Sequence, residues 1–102
     1  MAEKRALVMH AKDNVATAIE EIQSGDSVRI PQGGQSYTLT ATEAIPFGFK
    51  IALDEIPPGG LIIKYGETIG KASRLIPKGA LVHVHNLEGT RARGDLEGRE
   101  RR

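Results

Sequence analysis

The chain has no cysteine and no tryptophan among its 102 residues, and only 4% of them are aromatic. The first absence rules out a disulfide scaffold, cysteine-ligated zinc, an iron–sulfur cluster and a thiol nucleophile within this chain. The scarcity of rings means that any core is aliphatic, built on Ile, Val, Leu and Ala. An excess of one charge is missing too: 14 Lys plus Arg face 13 Asp plus Glu, for a net charge of +1. Dedicated nucleic-acid or membrane-surface proteins usually carry a basic surplus, so neither partner is expected. Long apolar runs are also lacking. Met1 to Lys12 carries Glu3, Lys4 and Arg5 and reads neither as a signal peptide nor as a membrane span, so the expected location is cytoplasmic. A chain of this length buries roughly two-thirds of its unfolded surface, enough for one domain with one modest core.

Arg5 to His10 is a first strand candidate. Val15, Ala18, Ile19 and Ile22 then recur at helical spacing, with Asp13 or Asn14 as N-cap and Gly25 as the left-handed stop, which predicts one short amphipathic α-helix over residues 14–23. Tyr37 to Ala41 is rich in β-formers, and Gly66-Glu67 between two apolar runs reads as a hairpin or bend. Ala80 to Asn86 reads as a last strand with Leu81, His83 and His85 on one face. From Glu88 to Arg102 there are five Arg, four acids and three Gly, and almost nothing apolar. That composition predicts a flexible tail, leaving residues 1–87 as the domain.

A unit of the form Ile-x-x-Gly-x-x-Ile/Val occurs four times, starting at Ile22, Ile45, Ile56 and Ile76. In the last three a proline follows the first isoleucine: Pro46, Pro57 and Pro77. Proline pre-sets φ at the second turn position and glycine supplies a positive φ after it, so each unit is a turn between short strands. The unequal intervals exclude a solenoid. The fold class is therefore mainly β.

Chemistry is sparse. His83-Val84-His85 would place two imidazoles on one side of a strand, close enough to chelate iron, zinc, nickel or copper, or simply on the solvated face of an edge strand. His10 is the other histidine, so further ligands would have to come from carboxylates or another chain. Asn86 could bind a carboxylate or hydroxyl, or close a local turn. Lys50 could meet an anion, or be an exposed residue between core Phe49 and Ile51. Lys64 and Tyr65 offer a cation and a phenol beside Gly66. The Gly33-Gly34 and Gly59-Gly60 pairs match no nucleotide-binding loop, and no serine has the setting of a triad.

Ile63-Lys64-Tyr65-Gly66-Glu67-Thr68-Ile69-Gly70, Gly48…Lys50…Ala52-Leu53 and His83-Val84-His85-Asn86, preceded by Asp13-Asn14-Val15-Ala16, occur in family order. Over about residues 7–87 they resemble the small SAF-type domain of altronate and galactarate dehydratases and of the related sulfolactate sulfo-lyase. The resemblance implies a β-clip with one small helix. It also implies the small subunit of a two-chain lyase that eliminates water from a hydroxy sugar acid. A large subunit would supply the base and most ligands of a divalent metal, iron or manganese. His83 and His85 would be catalytic residues or metal ligands completed by that partner chain, and Lys50, Lys64 and Asn86 would contact the acid. The family often has histidine where this chain has Phe49. Alternatives are a sulfolactate sulfo-lyase small subunit, a non-catalytic SAF-type module that binds a sugar or partner, and a standalone metal-binding protein.

Overall fold

A computed structural model describes residues 3–89. Nine strands and no helix occur among them: β1 (Glu3–Leu7), β2 (Val15–Ala18), β3 (Ser27–Gln32), β4 (Gln35–Thr40), β5 (Lys50–Ala52), β6 (Leu61–Lys64), β7 (Glu67–Ala72), β8 (Leu81–Val82) and β9 (Leu87–Gly89). A six-stranded sheet runs β4-β3-β1-β2-β5-β8, and a three-stranded sheet runs β6-β7-β9. Only the β1–β3 pair is parallel. Accordingly no described helix is long and apolar enough to cross a membrane. The mainly-β expectation holds. Leu87 to Gly89 pair with β7, so the sheet continues two residues past the expected domain edge. The remainder of the expected tail lies outside the described residues.

The helix expected over 14–23 is replaced by β2 and an extended turn. Its apolar spacing was ambiguous because β2 is covered on both sides. Val15 packs into one core while Ala16 and Ala18 pack into another, which erases the alternation that marks a half-exposed strand. Asp13 and Asn14 turn their side chains away from the following amides and toward residues 61–66.

The four turn units are the framework. In each, the glycine has a positive φ: 91° at Gly25, 88° at Gly48, 81° at Gly59 and 88° at Gly79. Each turn closes with the same hydrogen bond, as in Phe49 N–H to Pro46 O at 3.0 Å and Gly60 N–H to Pro57 O at 2.8 Å. The units then pair. Ile22 and Ile45 exchange backbone bonds of 3.0 and 2.9 Å, and Ile56 and Ile76 exchange two of 2.8 Å. A buried alanine precedes each isoleucine by one turn-length: Ala18, Ala41, Ala52 and Ala72. Gly25 N–H donates to Ala41 O and Gly48 N–H to Ala18 O, both at 2.8 Å, while Gly59 and Gly79 do the same to Ala72 and Ala52 at 2.8 and 2.9 Å. The repeat is thus Ala…Ile-x-x-Gly, used as two reciprocal pairs.

Each pair assembles its own cluster, so the single core expected from length is in fact two. Ile22, Ile45, Ile51, Val28 and Ile30 centre the first; Ile56, Ile62, Ile76 and Val82 centre the second. The β2–β5–β8 ladder is the wall between them. Ala16, Ala18 and Ile51 face the first cluster, and Val15, Ala52 and Val82 face the second.

Candidate functional site

The last strand stops earlier than its sequence pattern predicts. β8 ends at Val82, and residues 83–86 form a tight turn rather than a strand. Asn86 explains it. The side chain is buried, its Oδ1 accepts His83 N–H at 2.9 Å, and its Nδ2 donates to Leu81 O at 2.8 Å. The backbone closes over it, with Asn86 and Leu87 N–H both donating to His83 O at 3.0 and 2.9 Å. Two residues apart on such a turn no longer means the same face, so the shared strand face expected for His83 and His85 is not formed. His83 is half-buried and lies against Phe49, with ring centroids 4.5 Å apart and planes tilted by 49°. His85 is exposed beside Val84, which is 78% exposed. Of the alternatives open for Asn86, the closing of a local turn is the one its contacts display.

Lys50 occupies the other side of the same ladder. Adjacent strand residues point to opposite faces, so Phe49 and Lys50 diverge: Phe49 and His83 rim the first cluster, Lys50 the second. Lys50 pairs across the ladder with Thr17 on β2 and with Val82 on β8. Burial, and then the charge of nearby Lys64, hold its ammonium below the ordinary lysine range. The Lys64 ammonium sits 5.0 Å from the Tyr65 ring centroid. The charge of Lys64 thus reaches Lys50 and His83 packs on Phe49, but the lysines and the histidine do not share one face. Thr17, read as a helix residue from sequence, belongs to the lysine face. The signal that could have found it is the run Val15-Ala16-Thr17, whose β-branched residues fit a strand.

A latch fixes where Lys64 stands. The Asp13 carboxylate accepts Tyr65 N–H at 3.0 Å and Gly66 N–H at 2.8 Å. Asn14 adds Ile63 N–H to its Oδ1 and its own Nδ2 to Leu61 O, both at 2.8 Å. Tyr65 and Gly66 both have positive φ, 60° and 74°, which is the two-residue hairpin that the Gly66-Glu67 region predicts. The His10 ring lies against Gly66, and its Nδ1 accepts Lys12 N–H at 3.1 Å. His10 is thus committed to the latch rather than to the other histidines.

Two imidazoles on one turn are too few donors for a closed metal centre. Among the described residues no group of three His, Cys, Asp or Glu could hold an ion.

Comparison with known proteins places these features in context. The altronate/galactarate dehydratase SAF domain family matches residues 4–90. Galactarate dehydratase (L-threo-forming) of Escherichia coli is 42% identical over 74 residues, covering 72% of this chain and 13% of that protein. Altronate dehydratase of Bacillus subtilis is 36% identical over 85 residues, covering 83% of this chain and 16% of that protein. The (2R)-sulfolactate sulfo-lyase subunit alpha of Paracoccus pantotrophus is 37% identical over 62 residues, covering 61% of this chain and 92% of that subunit. The chain spans less than a fifth of the two dehydratases and nearly all of the subunit.

Proposed function

This chain belongs to the SAF domain family of altronate and galactarate dehydratases, and from that membership we propose that it is the small subunit of a cytoplasmic two-chain lyase acting on a hydroxy sugar acid of the altronate or galactarate type. One observation carries the reading. The chain matches 92% and 94% of two sulfo-lyase alpha subunits but only 13–16% of the dehydratases. Its counterpart among the relatives is thus a named subunit as well as one segment of a larger enzyme.

The chemistry agrees. Elimination removes a proton next to a carboxylate, forms a carbon–carbon double bond and expels the β-substituent, so a base must stand within hydrogen-bond reach of that proton. This chain has no cysteine, and its three histidines are divided between a latch and a turn. A separate large subunit would supply the base and most of the ligands for iron or manganese. The role of this chain is to present the 83–86 turn to that subunit. His83 is held by Phe49 and by the Asn86-braced backbone, while His85 and Val84 project outward. In this proposal His83 and His85 are substrate contacts or added ligands at the interface. Asn86 acts as their positioning residue, and Lys50 with Lys64, on the opposite face of the ladder, is an anion-binding pair separate from the histidines. Sulfite in place of water as leaving group is the second reading, favoured by the near-complete coverage of the sulfo-lyase subunits.

The test is reconstitution. A candidate large dehydratase-like chain from the same source would be co-expressed with it and assayed with altronate, galactarate and (2R)-sulfolactate in the presence of iron or manganese. Turnover is expected only with both chains, and it should fall by about a hundredfold or more with His83→Ala plus His85→Ala. Turnover by this chain alone, or unchanged turnover in the double variant, overturns the assignment.

A further inference from the structure

Thr17 Oγ1 is the buried side-chain polar atom that finds no hydrogen-bond partner among the described residues. Buried hydroxyls are normally satisfied, and an orphan loses its hydration without compensation, at about 1–3 kcal/mol. Its position is informative. Thr17 is directly paired with Lys50 across β2 and β5, so the two Cβ atoms lie about 5 Å apart on the same face. Lys64, held by the Asp13 and Asn14 latch on the neighbouring hairpin, stands close enough to act on the Lys50 charge. The ion pairs Lys4–Asp26, Arg5–Glu20 and Arg29–Glu3 lie elsewhere. A half-buried ammonium directly across from a hydroxyl with nothing to bond, within reach of a second lysine's charge, is an arrangement that a free chain gains little from.

We infer that Thr17, Lys50 and Lys64 form an oxyanion subsite that receives a carboxylate of a small hydroxy acid, with the Thr17 hydroxyl as donor and the two lysines as charge partners. The site is on the opposite face of the ladder from the His83 ring, and it is complete within this chain. It rests on the proposed function for the choice of ligand, and it adds Thr17 as the residue that orients the carboxylate. Two point charges would draw in any small anion. A hydroxyl in a fixed position between strands favours an acceptor with the planar geometry of a carboxylate.

The test uses the isolated full chain, with L-tartrate as probe and sulfate as comparison at matched ionic strength, followed through backbone amide shifts. Tartrate is expected to produce saturable shifts at Thr17, Lys50 and Lys64, tighter than sulfate. Lys50→Met is expected to weaken tartrate by about tenfold. Thr17→Val is the discriminating variant. It keeps the shape and removes the orphan hydroxyl, so the free protein is expected to become more stable while tartrate binding weakens roughly threefold or more. Lys78→Met, which removes an exposed lysine outside the site, leaves tartrate binding unchanged. The inference is overturned if no saturable shift occurs at these amides up to about 50 mM tartrate, a very weak limit for a built site. It is equally overturned if Thr17→Val binds like the parent, or if Lys78→Met abolishes binding. No partner chain enters this measurement, so its failure is separable from failure of the two-chain reconstitution.

Discussion

Phe49 and His83 face each other across neighbouring segments, ring against ring, 4.5 Å between centroids. Phe49 follows the glycine of the second turn unit, the position where the family resemblance leads one to expect histidine. The phenyl ring therefore fills a space in which a second imidazole would sit beside the first.

Phe49→Ala removes the wall that holds His83, and Phe49→His offers a second nitrogen donor. Expected is a gain of Ni²⁺ or Zn²⁺ affinity of about tenfold or more for Phe49→His over the parent, since two imidazoles at this separation can share one ion. Phe49→Ala should show no gain. Titration calorimetry of the isolated variants reads both, and equal affinity for all three proteins contradicts the geometry.

The turn glycines separate strain from crowding. Gly48 and Gly79 share a φ of +88°. A Cβ at Gly48 meets open space, whereas one at Gly79 runs into the Thr40 carbonyl oxygen. Gly48→Ala should lose about 1–2 kcal/mol, the conformational penalty alone. Gly79→Ala should lose at least about 1 kcal/mol more, because backbone rather than a flexible side chain must move. Urea unfolding of the two variants gives the comparison, and similar midpoints would contradict it.

Lys50 should make stability depend on alkaline pH. Burial, with Lys64 adding to it, lowers its pKa in the folded chain. The unfolded state then binds more protons between the folded and unfolded pKa values, so stability rises with pH across that interval. The penalty is fully present below the folded value, including at neutral pH. Lys50→Met should therefore raise the Tm at pH 7, and the difference should shrink toward pH 10–11. A Tm difference independent of pH would rule out the charge as its cause.

The first turn unit has Gln23 where the other three have proline. A glutamine brings a backbone N–H that proline lacks, and Asp26 Oδ2 takes it at 2.8 Å. That bond, with Lys4 at 3.2 Å from the same carboxylate, holds Asp26 below its ordinary pKa. Its stabilisation is present above the unfolded carboxylate value and is lost as pH falls through the folded one. Asp26→Asn should thus lower the Tm at pH 7 and lose its effect in strong acid. Gln23→Pro removes the N–H that Asp26 accepts, so it should be destabilising by about 1 kcal/mol or more and should reduce the effect of Asp26→Asn. Strict additivity of the two changes in a double-mutant cycle would contradict their coupling through that bond.

Local chemistry settled much of this molecule from sequence alone. Pro46, Pro57 and Pro77, with Gly48, Gly59 and Gly79, dictate their turns because φ is fixed by the residues themselves. Gly66 did the same for the β6–β7 hairpin, and the absence of cysteine excludes disulfides and thiol chemistry within this chain. Tertiary pairing decided the rest. Whether Val15 to Ala18 is helix or strand depended on a second core covering the far side of β2, which no local period records. Whether His83 and His85 share a face depended on the buried Asn86 amide, and the meeting of Thr17 with Lys50 depended on the register of two strands some thirty residues apart. Side-chain direction follows from the backbone path, and that path is fixed by contacts between segments distant in the chain.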